Sequence, residues 1–479
     1  MNLCKYSKAL LIFALSLLMI SRFILLDRSA RFIWDETDDL RRMKEIYENR
    51  RLTLVGPISG NNINIYGSLS YYMLMPFAVA YDFDPIGPVV GTATYSVIII
   101  LLLSFLLSKK YSWQYPFAIL FLAAVFPLVQ SGRWAWNPHY IPFWQVLSLT
   151  LLIINYKNKS RYLWVLAGLL QGLSIHNHWY AFFSVVGFSI ALFILFLREK
   201  RLRQFWFFVS GVLLAILPFV VFDIMRPPGL FISRFLYFSP VVQNESGFNI
   251  LNVLQRIFTL PYQFLYYFFQ NHILTILFIP IFLFYLVKVI RGESLFKKLL
   301  LIPIAAQIIG LSIISTQVFD HYFISAVIFF ILFLAIPDEK LKFSKNHILL
   351  LLIFIMLSIP ADIYEVTKNE WDTNIKRSKA ITDILAENIE VQRCNVIAIA
   401  SKDSGITAKR YRDMLALRDV YIMGHEEYRD YECLFVVSTS DLNTIKKDPV
   451  YELDLVRNIS PVKVWNVEGD WKVYKFVVD

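Results

Sequence analysis

The sequence predicts an all-α polytopic membrane protein: a bundle of about eleven transmembrane helices, juxtamembrane helices on its outer face, and a small extracytoplasmic α/β domain at the C-terminal end. Three observations predict it. Of the 479 residues, 57% are hydrophobic and only 18% charged, and the mean hydropathy is +0.53, which is more apolar surface than a soluble chain of this length can bury. Apolar runs of spanning length recur from residue 9 to residue 360, after which the composition turns charged. Basic residues gather in alternate connections, so the net charge of +10 reports membrane topology and implies no nucleic-acid partner.

Runs at 9–26, 86–108, 114–131, 139–156, 161–176, 178–197, 204–223, 271–290, 298–315, 321–337 and 345–360 can span, with roughly 20 residues as the full requirement and shorter, tilted helices tolerated. The first follows "MNLCKYSK", lacks a small-x-small cleavage site and is succeeded by further spans, so it reads as a retained signal-anchor. Basic connections at Lys109/Lys110, 157–161, 198–203, 288–298 and 338–345 fall on the cytoplasmic side of a multi-pass cell-membrane protein, together with the N-terminus and its Lys5 and Lys8. That alternation requires residues 27–85 to make no net crossing. "SLSYYMLMPFAVAYDF", interrupted by Pro76, is therefore expected as an interfacial or re-entrant helix on the outer face.

The chain then divides into a transmembrane domain, 1–360, whose first outer loop is 27–85, and an extracytoplasmic domain, 361–479. In the latter, strand-like "NVIAIA", "VYIMG" and "CLFVVS" alternate with helix-like "NIKRSKAITDILAENI". Cys394 and Cys433 open two of those strands. A disulfide between them and two unpaired buried thiols are both compatible with that placement. No internal repeat or low-complexity tract is visible.

The outer face carries the chemistry-bearing residues. "IWDETDDLRRMK" opens the first outer loop with four carboxylates, Asp35, Glu36, Asp38 and Asp39. Five of the seven histidines, His139, His176, His178, His272 and His321, fall at outer ends of spans, which implies a polar site at that lipid boundary. Ionisable groups at membrane depth are costly and usually face a cavity or a partner, so Asp35/Glu36, Arg133, Asp223/Arg226 and Asp320/His321 form a candidate constellation.

Each has a plainer reading. Asp38 and Asp39 suit the solvated first turn of a helix "DDLRRMKEIYENR", where acids complement the dipole; Asp35 and Glu36, beside an apolar Trp-bearing flank, fit it less well. Arg133 with Trp134 and Trp136 could equally anchor the membrane interface. His176 and His178 have a His-x-His spacing but no defined third ligand, and read first as satisfied interfacial histidines. Asp320 and His321 are as consistent with a structural pair as with substrate contact. "LPYQFLYYFFQNH" reads as an interfacial helix or a lip for a lipid tail. The Asn-x-Ser matches at Asn158, Asn244 and Asn458 are background.

Taken in order, "WDETDD", "LVGPISGNNINIYGSLSYYMLMPF", "SGRWAWNPHYIPF", "GLSIHNHWYAFF", "LPFVVFDIMRPPG" and "FDHYFISAVIFFILFLAI" make the chain resemble the GT-C superfamily of lipid-sugar-dependent glycosyltransferases, in its bacterial protein O-mannosyltransferase and aminoarabinose-transferase branch. The resemblance covers residues 8–360 or so. Its most specific element is an Asp-Glu pair at the start of the first outer loop, matched by Asp35 and Glu36; the other segments match in order and flavour. "IYGSLSYY" stands where many relatives carry a Pro-Pro pair, and the C-terminal domain matches nothing recognised, which leaves the acceptor open.

The resemblance implies transfer of a hexose or pentose from a polyprenyl-phosphate donor to a hydroxyl on a protein, glycan or lipid, at the outer face and with inversion. Asp35 would be the base and Glu36 would orient the acceptor or tune Asp35. Arg133, Arg226, His321 and His178 would meet the departing phosphate. Asp38, Asp39, Asn137, His139, His176 and Asp320 would play acceptor-side or secondary parts. No cofactor is required by this branch, and a divalent metal is not favoured. A transporter or flippase would place its charges near the midplane and often shows related halves, while an O-antigen polymerase or ligase leads with arginines in late outer loops. The early Asp35/Glu36 pair favours the transferase over both.

Overall fold

The computed structural model describes residues 3–58, 65–111, 113–158, 160–233, 250–292, 294–314, 317–337, 345–369, 374–389, 393–399, 407–424, 426–427 and 430–478. Asn244, part of the first outer loop (59–64) and most of the basic connection 338–345 lie outside the described residues. The architecture is a mostly helical bundle with a small strand-containing C-terminal domain. This is the fold class expected of a multi-pass membrane protein.

Among the described residues, six helical segments are long and apolar enough to cross a membrane by length and composition: Ile86–Tyr111, Ala181–Arg198, Leu202–Met225, His272–Arg291, Leu295–Ile313 and His347–Thr367. The first expected span forms the 21-residue helix Leu3–Phe23, whereas those at 114–131, 161–176 and 321–337 are shorter or broken. The run 114–131 splits into Tyr115–Ala123 and Phe126–Ser131, because Pro127 has no N–H and its ring would meet the carbonyl four residues back. The run 321–337 becomes a 3₁₀ turn, Asp320–Phe323, and a 12-residue helix, Ile324–Ala335, with every residue of the latter buried. At about 1.5 Å per residue that helix is too short for a hydrocarbon layer of about 30 Å. It is the bundle's central core element.

"LPYQFLYYFFQNH" completes a helix, Ile250–Phe269, that buries Leu260, Phe264, Leu265, Tyr267, Phe268 and Phe269 in the core. Its exposed side, including Leu251 and Phe258, belongs to the preceding turns. The last span also continues through Pro360 to Thr367.

Arg161–Asn177 runs directly against Leu202–Met225 through glycines. A Cβ at Gly168 would stand 1.8 Å from the Phe208 carbonyl oxygen, and one at Gly211 would stand 1.9 Å from that of Val165. Small residues of this kind let helix backbones approach where lipid offers no hydrophobic driving force. Gly211→Ala is expected to destabilise the bundle by about 1–3 kcal/mol, read as a lower unfolding temperature of the purified protein in detergent.

In the C-terminal domain the sheet runs in the order Cys394–Ile399, Cys433–Ser438, Trp471–Val477, Lys463–Val467, with the first pair parallel and the others antiparallel. Cys394 faces Cys433 in register and the two form a disulfide. Helix Ile375–Asn388 covers "NIKRSKAITDILAENI" as expected. "VYIMG" is not a strand; its Met423 N–H meets the Cys394 carbonyl at 3.0 Å, a single bond that does not make a ladder.

Candidate active site

The first-loop helix begins earlier than its acidic run suggests, at Trp34, and extends to Asn49, so Asp35 and Glu36 occupy its first turn. Glu36 reaches back: one carboxylate oxygen accepts the Ile33 N–H at 2.7 Å, and the other accepts the Trp134 indole N–H at 2.7 Å. That ties the start of the helix to the loop after Phe126–Ser131. Burial, then the adjacent Asp35, pushes the Glu36 carboxyl up to about 8.

Asp38 and Asp39, the other two carboxylates of the acidic run, are also engaged. Asp39 accepts the Tyr71 hydroxyl at 2.8 Å, and burial pushes its proton affinity up. Asp38 pairs with Arg41 at 2.8 Å, Arg42 at 2.9 Å and Lys409 at 3.0 Å. Burial would raise Asp38, but the Arg42 hydrogen bond and the Lys409 charge overcome it and hold the group at about 2.

Asp35 differs from all three. It is half-buried and makes no hydrogen bond or ion pair among the described residues. Burial, then Asp38, pushes it up to about 6, against the pull of Lys409 and Arg31. A carboxylate of that affinity, unpaired and ionised at neutral pH, is suited to accept a proton.

A file of rings joins the segments that bear Trp134, His321, His178 and Tyr66. The Arg31 guanidinium lies 4.8 Å from the Trp134 ring centre, and its buried Nε has no hydrogen-bond partner among the described residues. Trp134 stacks on Trp136 at 4.3 Å, Trp136 meets His321 at 4.3 Å, His321 meets His178 at 5.5 Å, and His178 stacks on Tyr66 at 4.9 Å. The Tyr66 hydroxyl and His178 Nε2 are 3.2 Å apart. The loops containing residues 31–36, 131–139, 174–180 and 317–323 thus converge, as the outer-end histidines suggested.

The remaining candidates are placed as follows. His321 makes ring contacts but no hydrogen bond among the described residues, which leaves its imidazole available. His178 is held by Tyr66 and by the Tyr180 N–H at 3.4 Å. His176 turns away to the Ala215 carbonyl at 2.7 Å and packs on Phe219, so the His-x-His spacing does not converge on one point. His139 bonds the Trp134 carbonyl through Nδ1 at 2.9 Å, leaving Nε2 buried without a partner among the described residues. Asn137 exchanges side-chain-to-backbone hydrogen bonds with Asn177, and Asp320 accepts from Gln270 at 3.1 Å.

The two arginines expected at phosphate are elsewhere engaged or outward-facing. Arg133 is fully buried and donates to the carbonyls of Ser21 at 2.9 Å and Ile24 at 2.7 Å, and to the Ser29 hydroxyl. These carbonyls lie at and just beyond the end of helix Leu3–Phe23, where helical bonding leaves them without donors. Arg226 is exposed, 4.9 Å over the Phe222 ring. Its neighbour Asp223 accepts the backbone N–H groups of Leu230 at 2.8 Å, Phe231 at 3.0 Å and Ser233 at 2.9 Å, closing the loop that follows.

Sequence reasoning missed Arg31 and Lys409. Arg31 stands four residues before Asp35 in "RFIWD", just ahead of the helix that opens at Trp34, and its charge acts on Asp35. Lys409 comes from helix Lys409–Leu417 of the C-terminal domain, which packs on Trp34–Asn49. It bridges Asp38 and Asp413, the latter at 2.8 Å, while Asp413 also meets Arg41 at 3.2 Å. Among the described residues no three His, Cys, Asp or Glu side chains group to hold a metal ion.

No protein-family model and no curated protein matches the sequence. Among solved structures, the crystal structure of ArnT from Cupriavidus metallidurans bound to undecaprenyl phosphate aligns with 99% of this chain and 98% of its own, with a TM-score of 0.57 and 10% sequence identity. The chain therefore has an ArnT-like fold, over the helical bundle and the C-terminal domain together.

Proposed function

We propose that the protein is a membrane glycosyltransferase that moves a sugar from a polyprenyl-phosphate donor to an acceptor hydroxyl, with Asp35 as the base. The observation that carries this reading is the state of Asp35 in an ArnT-like fold: among the described residues it is the one carboxylate of its helix without a hydrogen bond or ion pair, it is raised in proton affinity, and it feels the charge of Arg31, which in turn acts on His321. ArnT supports the donor class, since undecaprenyl phosphate is bound in its structure. The alternation of basic connections supports an extracytoplasmic site and C-terminal domain. No nucleotide sugar is supplied there, so the sugar has to arrive already activated on lipid.

In this mechanism the acceptor oxygen attacks the anomeric carbon as its proton passes to Asp35. The bond from that carbon to the phosphate oxygen breaks on the opposite face, its electron pair leaves with polyprenyl phosphate, and the centre inverts. Negative charge grows on the phosphate in this step, so cations aimed there stabilise the transition state more than the ground state. Arg31 is assigned that role, with the buried His321 imidazole in its neutral form offering only an N–H donor, and with His178 positioning Tyr66 nearby. Arg133 acts indirectly by fixing the end of the first helix, and Glu36 by anchoring the turn that bears Asp35. An apolar groove of about 280 Å³, lined by Ile175, Phe182, Val185, Val212 and Ile216, starts beside His176 and suits a stretch of the donor's prenyl tail.

The test offers wild-type protein in nanodiscs a panel of radiolabelled polyprenyl-phosphate sugars and nucleotide sugars, with an envelope extract as acceptor. In parallel, liposomes carrying the protein are assayed for translocation. Label transfer from one lipid-linked sugar, none from nucleotide sugars and no translocation is the expected pattern. Translocation without transfer would establish a flippase instead.

The C-terminal domain contributes through Lys409. Its charge favours the ionised form of Asp35 and offsets Asp38, so Lys409→Gln raises the proton affinity of Asp35 on both counts. The expected result is an acid limb of the pH–rate profile displaced upward from about 6, restored towards wild type by Lys409→Arg. Identical profiles for wild type and Lys409→Gln would remove Lys409 from the mechanism.

A further inference from the structure

At the end of the bundle remote from Asp35, a second cavity of about 510 Å³ opens among Ile86–Tyr111, Ile141–Asn158, Ala181–Arg198 and Leu295–Leu299. It lies within the roughly 300–1,000 Å³ typical of ligand pockets. Its wall is hydrocarbon and aromatic, with Leu107, Leu149, Leu192, Phe196 and Trp164 among the lining side chains. Its charged lining groups are Lys110 and Glu199.

Those two groups are not equivalent. Glu199 is engaged, accepting from the Tyr156 hydroxyl and from Arg201 at 3.2 Å. Lys110 is exposed and has no carboxylate partner among the described residues; its ammonium stands 5.6 Å from the Phe296 ring, 5.7 Å from Tyr111 and 5.8 Å from Tyr156. Lys109, Arg198, Lys200 and Arg203 add positive charge in the adjoining sequence. A second, separate observation comes from the wall: Trp164 is 1% exposed, and its indole N–H has no acceptor among the described residues. A buried donor without an acceptor is costly unless something supplies one.

We infer that this cavity binds one acyl chain of an anionic phospholipid, with the headgroup phosphate on Lys110 and the Trp164 N–H offered to an ester oxygen. The apolar wall takes the chain, the unpaired ammonium selects a negative headgroup, and the basic connections place the site at the cytoplasmic leaflet. This assignment does not depend on the transferase mechanism.

Native mass spectrometry of the purified full-length protein tests it, titrating phosphatidylglycerol, phosphatidylcholine of the same chains, and a polyprenyl phosphate. Wild type should retain one phosphatidylglycerol about fivefold more tightly than phosphatidylcholine. Lys110→Gln should abolish that preference, and Ala191→Trp, which fills the cavity, should weaken both. Lys110→Gln lies at an exposed position, so it decides the matter even where Ala191→Trp fails to fold. A preference unchanged in Lys110→Gln, equal retention of the two phospholipids by wild type, or one-for-one displacement of phosphatidylglycerol by polyprenyl phosphate would overturn the assignment.

Discussion

Asp35→Asn is expected to lower sugar transfer by about 10²–10⁴-fold, the contribution typical of a positioned base, while donor binding stays nearly unchanged. The substitution is isosteric, and Asp35 makes no hydrogen bond or ion pair among the described residues whose loss would disturb the fold. It removes only the lone pair that receives the acceptor's proton. The same assignment fixes the pH dependence of the wild type. With its affinity raised to about 6 by burial and by Asp38, Asp35 is protonated and inactive below that pH, so the rate should climb through about pH 6 and level off above it. A profile flat from pH 5 to 8 would assign the proton transfer to another group.

Arg31→Met should have the next largest effect, a fall in kcat of about 10²–10³-fold, as for loss of one donor aimed at developing charge. The donor already carries one negative charge, so KM should rise as well, but by less, because the second charge forms only as the phosphate leaves. Loss of Arg31 also removes a charge that holds Asp35 down, so the acid limb should move upward. Steady-state kinetics across pH separates the two effects. A rise in KM alone, with kcat untouched, would make Arg31 a donor-binding residue without a part in the chemical step.

Much of this was legible in the residues, for identifiable reasons. Lipid imposes a composition that survives in sequence, so the helical bundle and the small strand-containing C-terminal domain could be read directly. Asp35 and Glu36 stood out because carboxylates beside an apolar, Trp-bearing flank need a reason to be there. What separates them was not legible: Glu36 is engaged by the Ile33 and Trp134 N–H groups and Asp35 is not, and the second of those contacts spans 98 residues. Arg133 looked like a phosphate ligand because a buried-flank arginine near tryptophans fits that role, whereas the carbonyls it satisfies become orphans only once the first helix ends at Phe23. Lys409 was out of reach for the same reason, lying 371 residues from Asp38. That the aromatic half of Ile250–Phe269 packs into the core was likewise out of reach, because the partners that bury it lie far away in the sequence.

The most direct measurement is polyprenyl phosphate release per enzyme, with one matched donor and acceptor extract, for wild type and Asp35→Asn side by side in the same nanodiscs. Release by wild type, with the variant at background yet still holding donor, is the expected result. Release by both at the same rate would contradict the assignment of Asp35 as the base.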